Sequence, residues 1–433
     1  MSLTSRVSTG VTYPAGDDAG GFDGGWSPLR VLGAASAFSL ALPDASPTRG
    51  HLYAPRGVLL DPVPGTGRTR VIAADTGNHR LLVWPDVPAS DGADCAVVVG
   101  QPGPTAEGPQ AGGRGPERGL HLPTGLARAE HLLLVADGWN HRIVGYDVAG
   151  PAAGDDPAPV WWLGQPDLSS TTENAGGDVT GSSLYWPFGV LWHGGRLWVA
   201  DTGNRRVLGW NGLPSSPGTP ADVVLGQPAP TARAENRGAD VAADSFRWPH
   251  QLAVLADADG EVLWVADAGN HRVLGWRLPV DGDRPADLVL GQESFTASRE
   301  FPHVPQGPAR LRFPYAVTAS GGGLVVADTA NNRVLGWGTA TAGFGAAAGV
   351  VLGQHGFDPA GENRWSAVTP DSLCWPYGLS AAPDARFGEL LAVADSGNNR
   401  VVLWHRPGGS GRVGGSGRVG GSGRVGGSGR VGG

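Results

Sequence analysis

The 433-residue chain contains no lysine; all 32 of its basic residues are arginine. That absence excludes lysine Schiff-base chemistry and any phosphate loop that depends on a lysine. Cysteine is nearly absent too. Cys95 and Cys374 stand far apart without metal-ligand spacing, so no disulfide framework is expected and a reducing compartment suits the chain. No apolar run is long enough to cross a bilayer, and the N-terminal stretch lacks the apolar segment of a secretory signal. A soluble, cytoplasmic protein without a membrane partner is the expectation. Net charge is −8, and four arginines lie in the last 27 residues, so the body is more acidic than the whole. The basic footprint of a nucleic-acid binder is missing.

What is abundant points one way. The chain has 72 Gly, 36 Pro and 16 Trp, a composition that favours many short strands joined by turns over long helices. Asp75-Thr76-Gly77 and Asp201-Thr202-Gly203 match the tripeptide carrying the catalytic aspartate of aspartic proteases, and Asp395-Ser396-Gly397 comes near it. Such a protease needs two loops whose carboxylates meet. Here the tripeptide belongs to something larger.

The pattern Asp-x-x-Asn-x-Arg occurs six times: Asp75/Asn78/Arg80, Asp137/Asn140/Arg142, Asp201/Asn204/Arg206, Asp267/Asn270/Arg272, Asp328/Asn331/Arg333 and Asp395/Asn398/Arg400. The third position is Trp139 and Ala330 in two copies, so Asp-Thr-Gly arises only where Thr fills a variable place. The expected role is structural, a repeated Asp–Arg pair across a turn, with Asn and Gly supporting special backbone conformations.

Two further markers keep step. Gly-Gln ends an apolar run after each of the first five copies, at Gln101, Gln165, Gln227, Gln292 and Gln354. A proline opens each cycle at Pro55, Pro123, Pro187, Pro249, Pro314 and Pro376. Repetition of this kind signals a propeller, solenoid or array. Each cycle reads as four short strands: after the proline, up to the Asp, after the Asn, and before Gly-Gln. Four strands make one blade of a β-propeller. The sixth cycle lacks its fourth strand, while "LRVLGAAS" (Leu29 to Ser36) is an orphan fourth strand near the N-terminus. The expected fold is therefore all-β: a six-bladed β-propeller of four antiparallel strands per blade. The N-terminal strand completes the last blade, which removes an exposed sheet edge.

On these residues the chain resembles NHL-repeat proteins, named for Asn-His-Leu. Here Asn-His-Arg, Asn-Arg-Arg or Asn-Asn-Arg fills that turn. The Leu-Gly-Gln-Pro strands resemble a bacterial branch of the family, most of whose members have no assigned activity. The resemblance implies a six-bladed propeller and little about function. It spans roughly residues 28–405, between an expected flexible leader (1–27) and an expected disordered Gly/Ser/Arg/Val tail (406–433).

Function is sought where the repeat breaks. Gln-to-Pro spacing is 22 in all five complete cycles, whereas Pro-to-Asp spacing runs 20, 14, 14, 18, 14 and 19. The long fourth-to-first loops are therefore expected to be packed, with insertions on the opposite face. The residue after each proline is expected at the channel mouth: Arg56, Thr124, Phe188, His250, Tyr315 and Tyr377. Aromatic rings, an imidazole and a guanidinium suit an organic anion or a peptide end. Glu173, Glu235, Glu300 and Glu362 fall eight residues after Gln; they either serve loop backbone or form an acidic collar for cations or a basic partner. The repeated Trp residues, at strand edges (Trp84, Trp210, Trp276, Trp337, Trp404) and before proline (Trp186, Trp248, Trp375), are expected in the core between blades.

NHL-like lyases that cleave peptidyl-α-hydroxyglycines are similar at Pro-His, which in them supplies zinc ligands from more than one blade. Only His250 matches that pattern here, and a catalytic zinc needs about three protein ligands. No metal and no cofactor are therefore expected. The leading reading is a monomeric, non-enzymatic scaffold that binds a protein or peptide through the long-loop face and channel mouth. The alternative is an enzyme with its site at the mouth, a metal-dependent lyase or a hydrolase of small substrates. RNA binding, known for some animal NHL proteins, comes third.

Overall fold

Runs of four to eight β-branched, Leu and Trp residues, each cut by Gly, Pro, Asn or Asp, leave the chain no option but short strands and tight turns. The computed structural model describes residues 24–34, 46–147, 155–338 and 344–407. Within them lie six four-stranded antiparallel sheets. The first strands of successive blades, Gly57–Val63, Pro123–Ala129, Pro187–His193, Pro249–Asp257, Pro314–Ser320 and Pro376–Asp384, pack side by side around a central channel. Apolar clusters fill the wedges between neighbouring sheets.

Ring closure follows the sequence expectation. Ser27–Leu32 pairs antiparallel with Arg400–Arg406, from Ser27 opposite His405 to Leu32 opposite Val401. Val31 and Leu32 are fully buried against neighbouring blades. Most of the expected leader (1–23) and nearly all of the expected tail (408–433) lie outside the described residues.

The insertions between Pro and Asp lengthen the first hairpin of blades one, four and six, whose second strands run Arg68–Asp75, Gly260–Asp267 and Gly388–Asp395. The strand-edge Trp residues are core, as expected. Each of four also ties down the connection to the fourth strand: the indole N–H of Trp84, Trp210, Trp276 and Trp337 donates to the carbonyl of Ala93, Thr219, Arg284 and Ala346 at 2.9–3.0 Å.

The Asp-x-x-Asn-x-Arg turn is the pin of each blade. In blade three, Arg206 Nε donates to Asp201 Oδ2 at 2.7 Å, and Asn204 Nδ2 donates to the same oxygen at 2.8 Å. Asp201 Oδ1 accepts the N–H of Tyr185, in the loop arriving from blade two. The Asp–Arg pair recurs in all six blades at 2.7–2.9 Å: Arg80 with Asp75, Arg142 with Asp137, Arg206 with Asp201, Arg272 with Asp267, Arg333 with Asp328 and Arg400 with Asp395. All twelve side chains are buried, so none of these residues can meet a ligand at the surface.

A pair across one turn, the role expected for these arginines, understates what they do. Only Nε is spent on the aspartate, and the Nη groups reach out of the turn into two long loops. Arg80 donates to the carbonyls of Thr48 and His51 in the loop that arrives and of Pro104 in the loop that leaves. Arg142 holds Pro116 and Gly119 on one side and Leu168 on the other. Arg206 does the same with Thr180, Ser183 and Pro230. Arg272 takes Ala242, Ser245 and Phe295, and Arg333 takes Gly307, Arg310 and Phe357. Arg400 holds Thr369 and Ser372. A guanidinium carries five donors, a single carboxylate cannot use them all, and the folded loops present buried carbonyls that water cannot reach.

Asn and Gly do not supply the special backbone here. The left-handed residue is the one between Asn and Arg: His79, His141, Arg205, His271, Asn332 and Asn399, with φ between 52° and 57°. The motif glycine is present for close approach. A Cβ on Gly203 would come within 2.5 Å of Tyr185, and one on Gly77 within 2.5 Å of Tyr53. The three motif threonines, Thr76, Thr202 and Thr329, donate to the carbonyl of the next blade's opening proline (Pro123, Pro249, Pro376). Asp75 and Asp201 are therefore separate pins in separate blades.

Candidate functional site

The mouth residues come from equivalent places on six first strands, so any convergence among them is set by the ring. Phe188 and His250 have centroids 4.3 Å apart, His250 and Tyr315 4.4 Å, and Tyr315 and Tyr377 4.6 Å, nearly parallel. Arg56 extends the arc, its Cζ 4.9 Å from the centroid of Tyr377. Thr124 stands apart in role: its buried hydroxyl donates to the carbonyl of Phe188 and staples blade two to blade three. Five of the six residues thus form one continuous arc.

Burial sorts this arc. Phe188 and His250 are buried, whereas Arg56, Tyr315 and Tyr377 are half-buried. His250 Nδ1 lies 2.9 Å from the Trp248 carbonyl, which places the proton on Nδ1. Burial, with a smaller contribution from the charge of Arg56, pushes its pKa down to about 3, so the ring is neutral at physiological pH. The Tyr315 phenol is raised above its usual range, chiefly by burial.

Below the arc the channel widens into a cavity of about 210 Å³. It runs from Arg56 and Phe188 along the first strands to Trp192 and His193 near the opposite face. Gln251, beside His250, crosses this space. Its amide donates to the carbonyls of Val317 and Leu379 and accepts from the N–H of Leu379. First strands present an unpaired backbone edge to the channel, and Gln251 satisfies parts of two of them. No repeat position announced it.

Three of the four glutamates reach side chains and not loop backbone. Glu235 pairs with Arg247 at 3.1 Å, Glu300 with Arg312 at 2.7 Å, and Glu362 accepts the indole N–H of Trp375 at 3.0 Å. Glu173 is exposed. The adjacent Asn174, Asn236 and Asn363 hydrogen-bond the motif asparagines of the next blade, Asn204, Asn270 and Asn398, each at 2.8 Å. Among the described residues no three His, Cys, Asp or Glu side chains come together as a metal-binding group.

The Trp residues before proline depart from the core expectation. Trp375 is 39% exposed, and Trp186 and Trp248 are half-buried. Trp186 and Trp375, like Leu122 and Phe313 in the same place, sit at φ of 47–52°. The right-handed helical region is disfavoured before proline; Trp248, in the same place, is half-buried without a positive φ. Tyr53, Trp139 and Trp365 are also exposed large rings, at 44%, 52% and 79%. All lie in the long loops or second-to-third turns, which the topology puts on one face. That face therefore carries an aromatic surface around the arc.

No family model matches the chain, and no curated protein matches it. Among solved structures, a structural genomics protein of unknown function from Bacteroides thetaiotaomicron is 14% identical, covering 88% of this chain and 75% of that chain at a TM-score of 0.48. A gluconolactonase from Xanthomonas campestris is 14% identical, with coverage of 88% and 95% and a TM-score of 0.43. A PQQ-bound aldose sugar dehydrogenase from Streptomyces coelicolor is 12% identical, with coverage of 83% and 96% and a TM-score of 0.40.

Proposed function

We propose that the chain is an NHL-type propeller acting as a non-enzymatic scaffold, which docks a protein or peptide partner on its long-loop face. The observation that carries this reading is the asymmetry of aromatic exposure. Of the six large exposed rings among the described residues, five (Tyr53, Trp139, Phe301, Trp365 and Trp375) lie on the face that carries the mouth, and Phe344 lies in a third-to-fourth connection. Exposed aromatic groups of this kind mark interaction surfaces, and the loops that carry them are pinned in place by the motif arginines. A pre-ordered aromatic surface binds with little ordering cost.

The test pairs capture of a partner from the source cell with hydrogen exchange on the complex. A stoichiometric partner should protect the segments around Trp139, Trp365 and Trp375, and Tyr315→Ala/Tyr377→Ala should release it. Protection confined to the opposite face would overturn the reading, as would turnover with stoichiometric metal.

A further inference from the structure

Arg56 is an anomaly. The chain has 40 acidic residues against 32 basic ones, and every buried motif arginine is paired with an aspartate. Among the described residues Arg56 has no carboxylate partner, and its Nε is buried with no hydrogen-bond acceptor. The face of the Tyr377 ring lies against the guanidinium. Across the ring, His250 is a second anomaly. It is 1% exposed, its Nδ1 is committed to the Trp248 carbonyl, and its Nε2 is buried without a partner. Blades one and four are opposite in a ring of six, and the charge of Arg56 is felt at both His250 and Tyr315.

We infer that the mouth holds a carboxylate subsite, with Arg56 as its cation and His250 Nε2 as a neutral acceptor, for a ligand bearing an N–H or O–H beside its acid group. The terminal edge of a guanidinium offers two parallel Nη donors that match a carboxylate. A single cation among aromatic rings suits a monoanion better than a phosphate dianion. A lone-pair acceptor in the same mouth calls for a donor on the ligand itself, as in an α-hydroxy or N-acyl amino acid. This rests on the mouth being a binding site. The carboxylate belongs either to a free small acid or to a partner polypeptide.

Calorimetric titration of the full chain tests it, with phenyllactate, 3-phenylpropionate, N-acetylphenylalanine and its amide, and a tetrapeptide ending in phenylalanine as free acid and as amide. The acids should bind about tenfold or more tightly than the amides, and Arg56→Gln should remove that preference. Phenyllactate should exceed 3-phenylpropionate, and His250→Phe should erase that difference. Tighter binding of the peptide acid than of phenyllactate assigns the carboxylate to a polypeptide; the reverse assigns it to a small acid. Acids and amides bound equally, or no binding by either, overturns the subsite. If Arg56→Gln does not fold, the acid-to-amide ratio of the unaltered chain decides. Partner capture unchanged by Arg56→Gln, with acid and amide bound equally, upholds docking and overturns the subsite. Acid preference with no protein captured does the reverse.

Discussion

His141 of blade two accepts the backbone N–H of Trp186, just before the opening proline of blade three, at 3.1 Å through Nδ1. The same staple joins His79 to Leu122 and His271 to Phe313, and Asn332 to Trp375 and Asn399 to Ala54 through Oδ1. The middle residue of Asn-x-Arg is thus an acceptor that fastens each blade to the next in five places.

An imidazole accepts at Nδ1 only when that nitrogen is unprotonated. Burial lowers His79 to about 4, and it also lowers His141 and His271, outweighing nearby Glu173 and Glu300. The unfolded chain, with histidines near 6.5, binds protons more readily. Stability is therefore full above about pH 6.5 and falls as pH drops toward 4. Thermal unfolding at pH 7.5 and pH 5 should show this loss. His79→Asn/His141→Asn/His271→Asn, copying blades five and six, should reduce it, leaving the share due to His250 and His121, which burial also lowers.

Arg206→Met should destabilise the fold by about 3–5 kcal/mol, because Asp201 would be left buried and unpaired. Urea unfolding measures the change. Thr202→Val, which removes the hydroxyl's bonds to the Pro249 and Ala200 carbonyls, should cost about 1 kcal/mol.

The closing strand is fixed by two buried side chains. Leu32→Ala should cost about 2–5 kcal/mol, and deleting residues 24–34 should expose the strand Arg400–Arg406 as a free edge. Light scattering should then show self-association.

Gln251→Ala should unfasten the channel without breaking a blade. The Leu379 N–H should exchange faster, while the N–H groups of the motif strands, such as Val207, keep their protection. Unchanged exchange at Leu379 would show that the cross-channel bonds carry no weight.

Much of this molecule was legible in the sequence because repetition averages out local ambiguity. A single Asp-Thr-Gly is equivocal; six Asp-x-x-Asn-x-Arg turns at one place in a cycle are not. Spacing also identified the face with loops of one length. The reach of Arg80, Arg142, Arg272 and Arg333 into two loops each was hidden, because their acceptors are backbone carbonyls that any residue could carry. The partial exposure of the Trp residues before proline was hidden because composition says only that an indole prefers burial, whereas the fold places these three in the long loops. Gln251 escaped because its partners, Val317 and Leu379, are backbone groups 66 and 128 residues away.

The sequence by itself determined the number of blades, the strand content and the means of closure, since these depend on local hydrogen bonding and periodic burial. Tertiary structure alone decided that Arg56, Phe188, His250, Tyr315 and Tyr377 form one arc, that Thr124 serves as a staple, and that two polar atoms at the mouth are left unpartnered. Those relationships arise from closing six separate strands around one axis, and no linear pattern encodes the distance between opposite blades.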